Sequence, residues 1–484
     1  MRALIGTLVL VPALAVAAPG APYDKSAVAD WAVAPTPGPE PTFRPPVAKR
    51  LVLANGMTVL VVENHALPIV AMSLVVAHAG AAQDPRGKAG LAAFTADLLD
   101  EGAGGLSALA LAQEQDRLGA SITIGVTPDA AFVSVSTLTK TLEPTLDLLG
   151  KVLTRPAFEA HELDRVKGDR ATGLALLSDR PVEVVQIVLT AALFGAGTPY
   201  GHSPSGERAD FATLAGPDVH AFYAAHWTPA AMSLVIAGDV DPVALRAKLD
   251  AGLGAWTAAA PAPATLVTTP AKLGTRLALV DRPGAAQSDV RIGLVGPGRR
   301  DARYYAFEVM TTTLGRGFTS RLLHRLREEL GITYVIGADA DWRVDGGSVF
   351  GIATAIESKA TGTGVGEILK IVDGLGAADL TPAELDAAKQ HLIRQLPAQF
   401  ATNAGVARAY AQLALYGLAD DWYARYADNV RKVTARDVRA AAKLVPASKL
   451  VVAVVGDLAK IRPDLDKLGL GDPELHDVFG LPVK

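Results

Sequence analysis

Nine histidines and no cysteine bound the chemistry this chain can carry. The histidines are His65, His78, His161, His202, His220, His226, His324, His391 and His476, and no two stand four residues apart. That spacing is what lets one face of a helix offer two imidazoles to zinc. His220 and His226 are six apart and project in different directions. His161-Glu162 begins a His-Glu pair, but Arg165 stands where a second ligand would follow. Scattered loop and surface histidines account for the set. The missing cysteines exclude disulfides, thiolate metal sites and a cysteine nucleophile. No G-x-S-x-G elbow anchors a serine nucleophile. The glycine-rich pieces "LGRGFTS" and "GAGTPYGHSPSG" lack the G-K-[S/T] ending of a phosphate loop and read as helix ends and turns.

One constellation remains. "SRLLHRLREELGITYVIGA" predicts a helix ended near Gly331, followed by a strand that starts close to Tyr334. Arg327 then lies in the last turns of the helix and Tyr334 just beyond the turn, so a cation and a phenol can be aimed at one point. The same spacing suits a solvated Arg327 paired with Glu328 or Glu329 and a half-buried tyrosine at a strand edge. Spacing alone favours the second arrangement.

The elements that position these residues are duplicated. "IVAMSLVVAHAG" ends at Gly80 and "QSDVRIGLVGPG" at Gly298, 218 residues apart. "MSLVIAGDV" and "LVVAVVGDL" place Asp239 and Asp457 at the same separation. Asp218 and Asp437, in "DVHAFYAAHWTP" and "DVRAAAKLVPAS", are 219 apart. A unit this long is a repeated domain, not a solenoid repeat. In the first copy Asn55-Gly56 sits between two β-branched runs, the turn chemistry of a tight hairpin. Helices follow over Leu91–Leu99 and Ser107–Leu118, then a strand pair over Ser121–Gly125 and Ala131–Thr137. More helices run from Leu142 to about His226, and a buried strand, Ser233–Ala237, closes the copy. Strands followed by runs of helices indicate an α+β fold: two homologous domains, each a mixed or antiparallel sheet with helices packed mainly on one face.

At 484 residues the chain is too long for one core. A net charge of −4 without a basic stripe argues against nucleic acid as a partner. Arg2, the apolar run Leu4–Ala17 and the small residues Ala15 and Ala17 read as a cleavable signal peptide over residues 1–17, too short to span a bilayer. No later stretch is long and apolar enough to span, and no cysteine offers a lipid anchor. The expected location is therefore periplasmic or secreted. Residues 18–48 read as a Pro/Ala-rich tether, 49–256 as the first domain, 257–272 as a linker and 273–484 as the second domain.

Three segments, "ANGMTVLVVENHALPIVAMSLVVAHAGAAQDPRGKAGLA", "HAFYAAHWTPAAMSLVIAGDV" and "TSRLLHRLREELGITY", resemble the pitrilysin/insulinase family of zinc peptidases in order and spacing. The likeness runs from about Lys49 to Gly469. Active members of that family carry H-x-x-E-H after "GLA", two zinc ligands around a water-activating glutamate. Here the stretch is Ala93, Phe94, Thr95, Ala96 and Asp97. The family's further glutamate ligand falls near Gly173 in "ELDRVKGDRATGLALLSDRP". The resemblance thus implies a degenerate zinc site at Ala93, Ala96, Asp97 and Gly173, with no cofactor in this chain. It also implies that Arg327 and Tyr334, at the family's seven-residue spacing, hold substrate and a developing oxyanion; Gln115 and Ile122 take the equivalent places in the first copy. Some relatives divide the labour between two chains, as mitochondrial processing peptidase does. The expectation is a zinc-less subunit of an exported heterodimeric metallopeptidase, with a zinc-bearing homologous subunit as partner and a peptide or unfolded protein as substrate. A structural scaffold, or a peptide-binding protein with no role in catalysis, is the alternative.

Overall fold

Asn55-Gly56 makes the expected hairpin. Gly56 takes the left-handed conformation (φ +88°), a cheap choice only for glycine, and the turn joins β1 (Lys49–Val52) to β2 (Thr58–Glu63) with Val52 opposite Thr58. The Asn55 amide donates to the carbonyls of Leu253 (2.7 Å) and Trp256 (3.0 Å). These belong to a computed structural model that describes residues 43–258 and 276–483. The signal peptide, most of the tether and all but the first two residues of the linker lie outside the described residues. From Pro45 onward the described residues form one compact unit.

That unit holds two six-stranded mixed sheets with helices. The first adds β3 (Ile69–Ala77), β4 (Ser121–Val126), β5 (Ala130–Leu138) and β6 (Met232–Gly238), in the order β1-β2-β6-β3-β5-β4. The second contains β7 (Leu277–Asp281), β8 (Gln287–Gly296), β9 (Ile336–Trp342), β10 (Ser348–Glu357), β11 (Val451–Gly456) and β12 (Glu474–Leu475), in the order β12-β7-β11-β8-β10-β9. Five strands correspond one to one. β2–β6 and β7–β11 are the parallel pairs, and Thr58 faces Ser233 as Leu277 faces Val452, the same separation of 175 residues. The sixth strand comes from opposite ends of the chain: β1 runs antiparallel to β2, and β12 runs parallel to β7. The continuous apolar runs of β3 and β11 are buried along their length, as central strands require.

The two copies exchange a helix. Pro181–Phe194 belongs to the first copy yet packs on β8 and β11 of the second sheet, and Asn403–Leu415 of the second copy packs on β3 and β6 of the first. Val184, Val188 and Leu189 share one apolar cluster with Ala278, Val349, Val451 and Val455. The sequence of the first helix, "PVEVVQIVLTAALF", is apolar around most of its circumference, the pattern of a helix covered on several sides. Gly293 on β8 makes room for it. A Cβ there would run into the Phe350 carbonyl and stand 3.2 Å from Leu189 Cδ2. On the other side, Asn403 donates to the Ile69 carbonyl (2.9 Å) and accepts from the Asn64 amide (2.8 Å).

Candidate functional site

The short helix Leu91–Asp97 carries the positions where the resemblance puts zinc ligands. Asp84 fixes its start. One carboxylate oxygen accepts from the Gly90 N–H and the other from the Ala92 N–H, both at 2.7 Å. His202 Nε2 lies 3.1 Å from the same carboxylate, and both side chains are buried. The helix is therefore held firmly, but it presents no ligand set. Ala93 and Ala96 are buried methyl groups. Asp97 accepts from Arg170 Nε at 2.5 Å, across from the helix Ala160–Ala175. The group that meets Asp97 is thus a guanidinium, about one turn ahead of Gly173. A Cβ on Gly173 would face open space, and its carbonyl accepts from Arg180 (2.5 Å).

Around this pair lies a cleft of about 510 Å³ between the outer edge of β4 and the Ala160–Ala175 helix. Its charges are mutually engaged: Arg165 bridges Glu101 (2.5 Å), Glu162 (2.7 Å) and Asp169 (3.1 Å). Asp100 is the exception. Burial pushes its carboxyl up to about 6, with Glu101 and Asp97 adding to the shift. Zinc in a protein site needs at least three side-chain ligands. Among the described residues no group of three or more His, Asp or Glu is placed to hold a metal ion. With a guanidinium holding Asp97 and methyl groups at 93 and 96, these residues do not fit the family's zinc.

The second constellation is assembled. Arg321 opens a helix that widens into a π-turn over His324–Glu329, where Leu330 N–H bonds the Arg325 carbonyl and Ile332 N–H that of Leu326, both at 3.1 Å. Gly331 (φ +63°) ends it. β9 begins at Ile336, so Tyr334 stands in the connecting loop and not at the strand's start. Thr333 pins that loop: its buried hydroxyl contacts Thr354 Oγ1 and the Ala355 carbonyl, each at 2.8 Å. Tyr334 consequently points outward, 76% exposed. The Arg327 guanidinium lies 4.8 Å from its ring centre and 5.9 Å from that of Phe318, and Nε is 3.3 Å from Glu328. The ion pair with Glu328 foreseen for a solvated arginine is present, but the tyrosine is exposed and stands against the cation. Arg325, by contrast, bridges Glu329 (2.6 Å) and Glu367 (2.8 Å).

In the first copy Gln115 Oε1 accepts from the Ile122 N–H at 2.7 Å. Residues seven apart across the helix end touch in both copies; only the second supplies a cation and a phenol. The spacing did not reveal Phe318 or Arg170. An apolar residue inside "GRGFTS" was the sole sign of the first, and the second lay in the helix examined for a glutamate.

Residues 58–202 match the model of the insulinase family (peptidase family M16), and residues 214–392 match that of the peptidase M16 inactive domain. An uncharacterized zinc protease of Mycobacterium leprae is 27% identical over 349 residues, 71% of this chain and 77% of its own length. A non-peptidase homologue of Helicobacter pylori is 23% identical over 338 residues, covering 69% and 76%. The crystal structure of a peptidase M16 inactive domain from Pseudomonas fluorescens superposes with a TM-score of 0.78 at 25% identity, over 84% of this chain and 98% of that one.

Proposed function

This chain belongs to the insulinase (M16) family of peptidases, and from that premise we propose that it is the zinc-less subunit of an exported heterodimeric metallopeptidase. It is a non-catalytic M16-like protein: Asp97 is committed to Arg170, and the neighbouring positions carry no ligand atoms. The observation that carries the further step is the outward-facing Arg327–Tyr334 pair. An aromatic ring three-quarters exposed beside a guanidinium does little for the fold and is placed to touch another molecule.

In the complex the homologous partner brings zinc and the water it activates. Tyr334 then donates its O–H to the oxyanion forming on the scissile carbonyl, and Arg327 holds the peptide. The leading residues 1–17 direct export, and the complex works in the periplasm or outside the cell. Among the described residues no helix is long and apolar enough to cross a membrane.

The test is turnover of unfolded peptide by the chain reconstituted with an H-x-x-E-H homologue from the same genome. Tyr334→Phe should lower turnover by roughly 10²- to 10³-fold with complex formation and melting temperature unchanged. Arg327→Ala should weaken binding and turnover together. Arg325→Ala, which breaks the ion pairs to Glu329 and Glu367 but leaves the Arg327–Tyr334 contact, should change activity little. Full activity of the Tyr334→Phe complex would leave this chain a scaffold.

A further inference from the structure

A second site lies two residues along the chain from Phe318. A cavity of about 240 Å³ opens between the end of the helix Tyr304–Gly315, the "GRGFTS" loop and one face of the helix Pro382–Gln399. Its lining includes Arg316, Thr319, Ser320, Glu384, Ala387 and His391. Ser320 is 2% exposed, and its hydroxyl has no hydrogen-bond partner among the described residues. It precedes the helix beginning at Arg321 but does not cap it. A buried hydroxyl left unpaired destabilises the fold, and no contact within the fold accounts for this one.

Two basic side chains, Arg316 and His391, bring donors to the same cavity. Gln395 Nε2 is 2.8 Å from His391 Nε2. Where the amide nitrogen donates, that ring nitrogen accepts and the proton sits on Nδ1. Nδ1 faces the loop at Gly317, where a Cβ would stand 3.3 Å away; Gly317 (φ +82°) has none. Arg316 Nη1 donates to the buried Glu308 at 2.7 Å, and its Nε and Nη2 have no such bond among the described residues. The one carboxylate in the lining is already satisfied. Glu384 accepts from Arg321 Nε (2.8 Å) and from the Thr381 N–H and hydroxyl, and is pulled down to about 2, chiefly by Arg321. A cavity with an unpaired buried hydroxyl, an imidazole and unused guanidinium N–H groups, whose one carboxylate is already paired, suits an oxygen anion.

We infer that this cavity binds a carboxylate, and that in the complex it takes an acidic side chain or the terminal carboxylate of a peptide lying across Phe318 and Tyr334. Its second half rests on the proposed peptide contact; carboxylate binding by the free chain does not. Acetate is the first probe, titrated into the full chain while the His391 imidazole signals are followed by nuclear magnetic resonance, assigned with His391→Gln. A saturable displacement with a dissociation constant on the order of 1–10 mM is expected for so small a ligand. Ser320→Ala should weaken it at least about fivefold while leaving the melting temperature equal or higher, because it removes an unpaired buried hydroxyl. Ala387→Trp, at the exposed mouth, should abolish binding by filling the entrance. Acetyl-Ala-Glu-amide and acetyl-Ala-Ala with a free terminus then separate the two sources of carboxylate. No saturable displacement below about 100 mM, or equal displacement in both variants, overturns the site. Acetate binding without either peptide overturns the peptide assignment. Loss of turnover in the Tyr334→Phe complex would stand in either case, so the two proposals fail separately.

Discussion

At the scale of single residues, the position where the resemblance would put a metal holds an ion pair. Arg170 supplies the positive charge that balances Asp97, and the acids around it are divided between two arginines, except Asp100. Its carboxyl is held near 6 in the fold, against about 3.9 in an unfolded chain. Between pH 4 and 6 the folded state therefore binds more protons, and stability falls as pH rises through that window. Asp100→Asn removes the charge that burial opposes. Thermal unfolding should show the variant more stable than the parent at pH 7.5, by on the order of 1 kcal/mol, and indistinguishable from it at pH 4. A variant less stable at pH 7.5 would mean that Asp100 has a partner worth more than its desolvation costs. That positions 93, 96 and 97 hold no histidine or glutamate was legible in the sequence because it needs only identities. That Arg170 closes onto Asp97 was not, because a salt bridge between helices 73 residues apart leaves no periodic trace.

At the scale of elements, local chemistry announced itself and tertiary exchange did not. Asn55-Gly56, the strand pair before Leu142 and the buried strand at Met232–Gly238 all stand where turn residues and β-branched runs put them. The π-turn at His324–Glu329 was hidden, since its amphipathic spacing reads as an ordinary helix. β9 begins at Ile336, which leaves Tyr334 in the loop and at the surface. The swapped helix gave one usable sign, an apolar circumference that a single sheet could not cover. Its contact predicts the outcome of Gly293→Ala. The added methyl meets the Phe350 carbonyl and Leu189, and overpacking of this kind costs about 1–3 kcal/mol. Denaturant unfolding should find that loss, whereas Gly374→Ala, on an open helix face, should be neutral or stabilising.

At the scale of the molecule, the first copy packs a core of its own residues, and a second core is shared between the copies. Each sheet is closed by a helix from the other half, so the two should unfold in a single transition despite their separate sheets. Expressed apart, residues 45–258 and 276–484 should each expose an uncovered sheet and aggregate. Expressed together, they should associate one to one and recover the circular dichroism of the whole chain. Folding of either half alone to a cooperative, soluble state would contradict the exchange. Two identical chains trading one helix each are a domain-swapped dimer. The repeat at 218 residues and the traded helices give this single chain the arrangement of such a dimer, with both partners on one polypeptide. Two halves on one polypeptide need not be alike, and here they are not: Gln115 and Ile122 are plain structural neighbours, while Arg327 and Tyr334 turn outward.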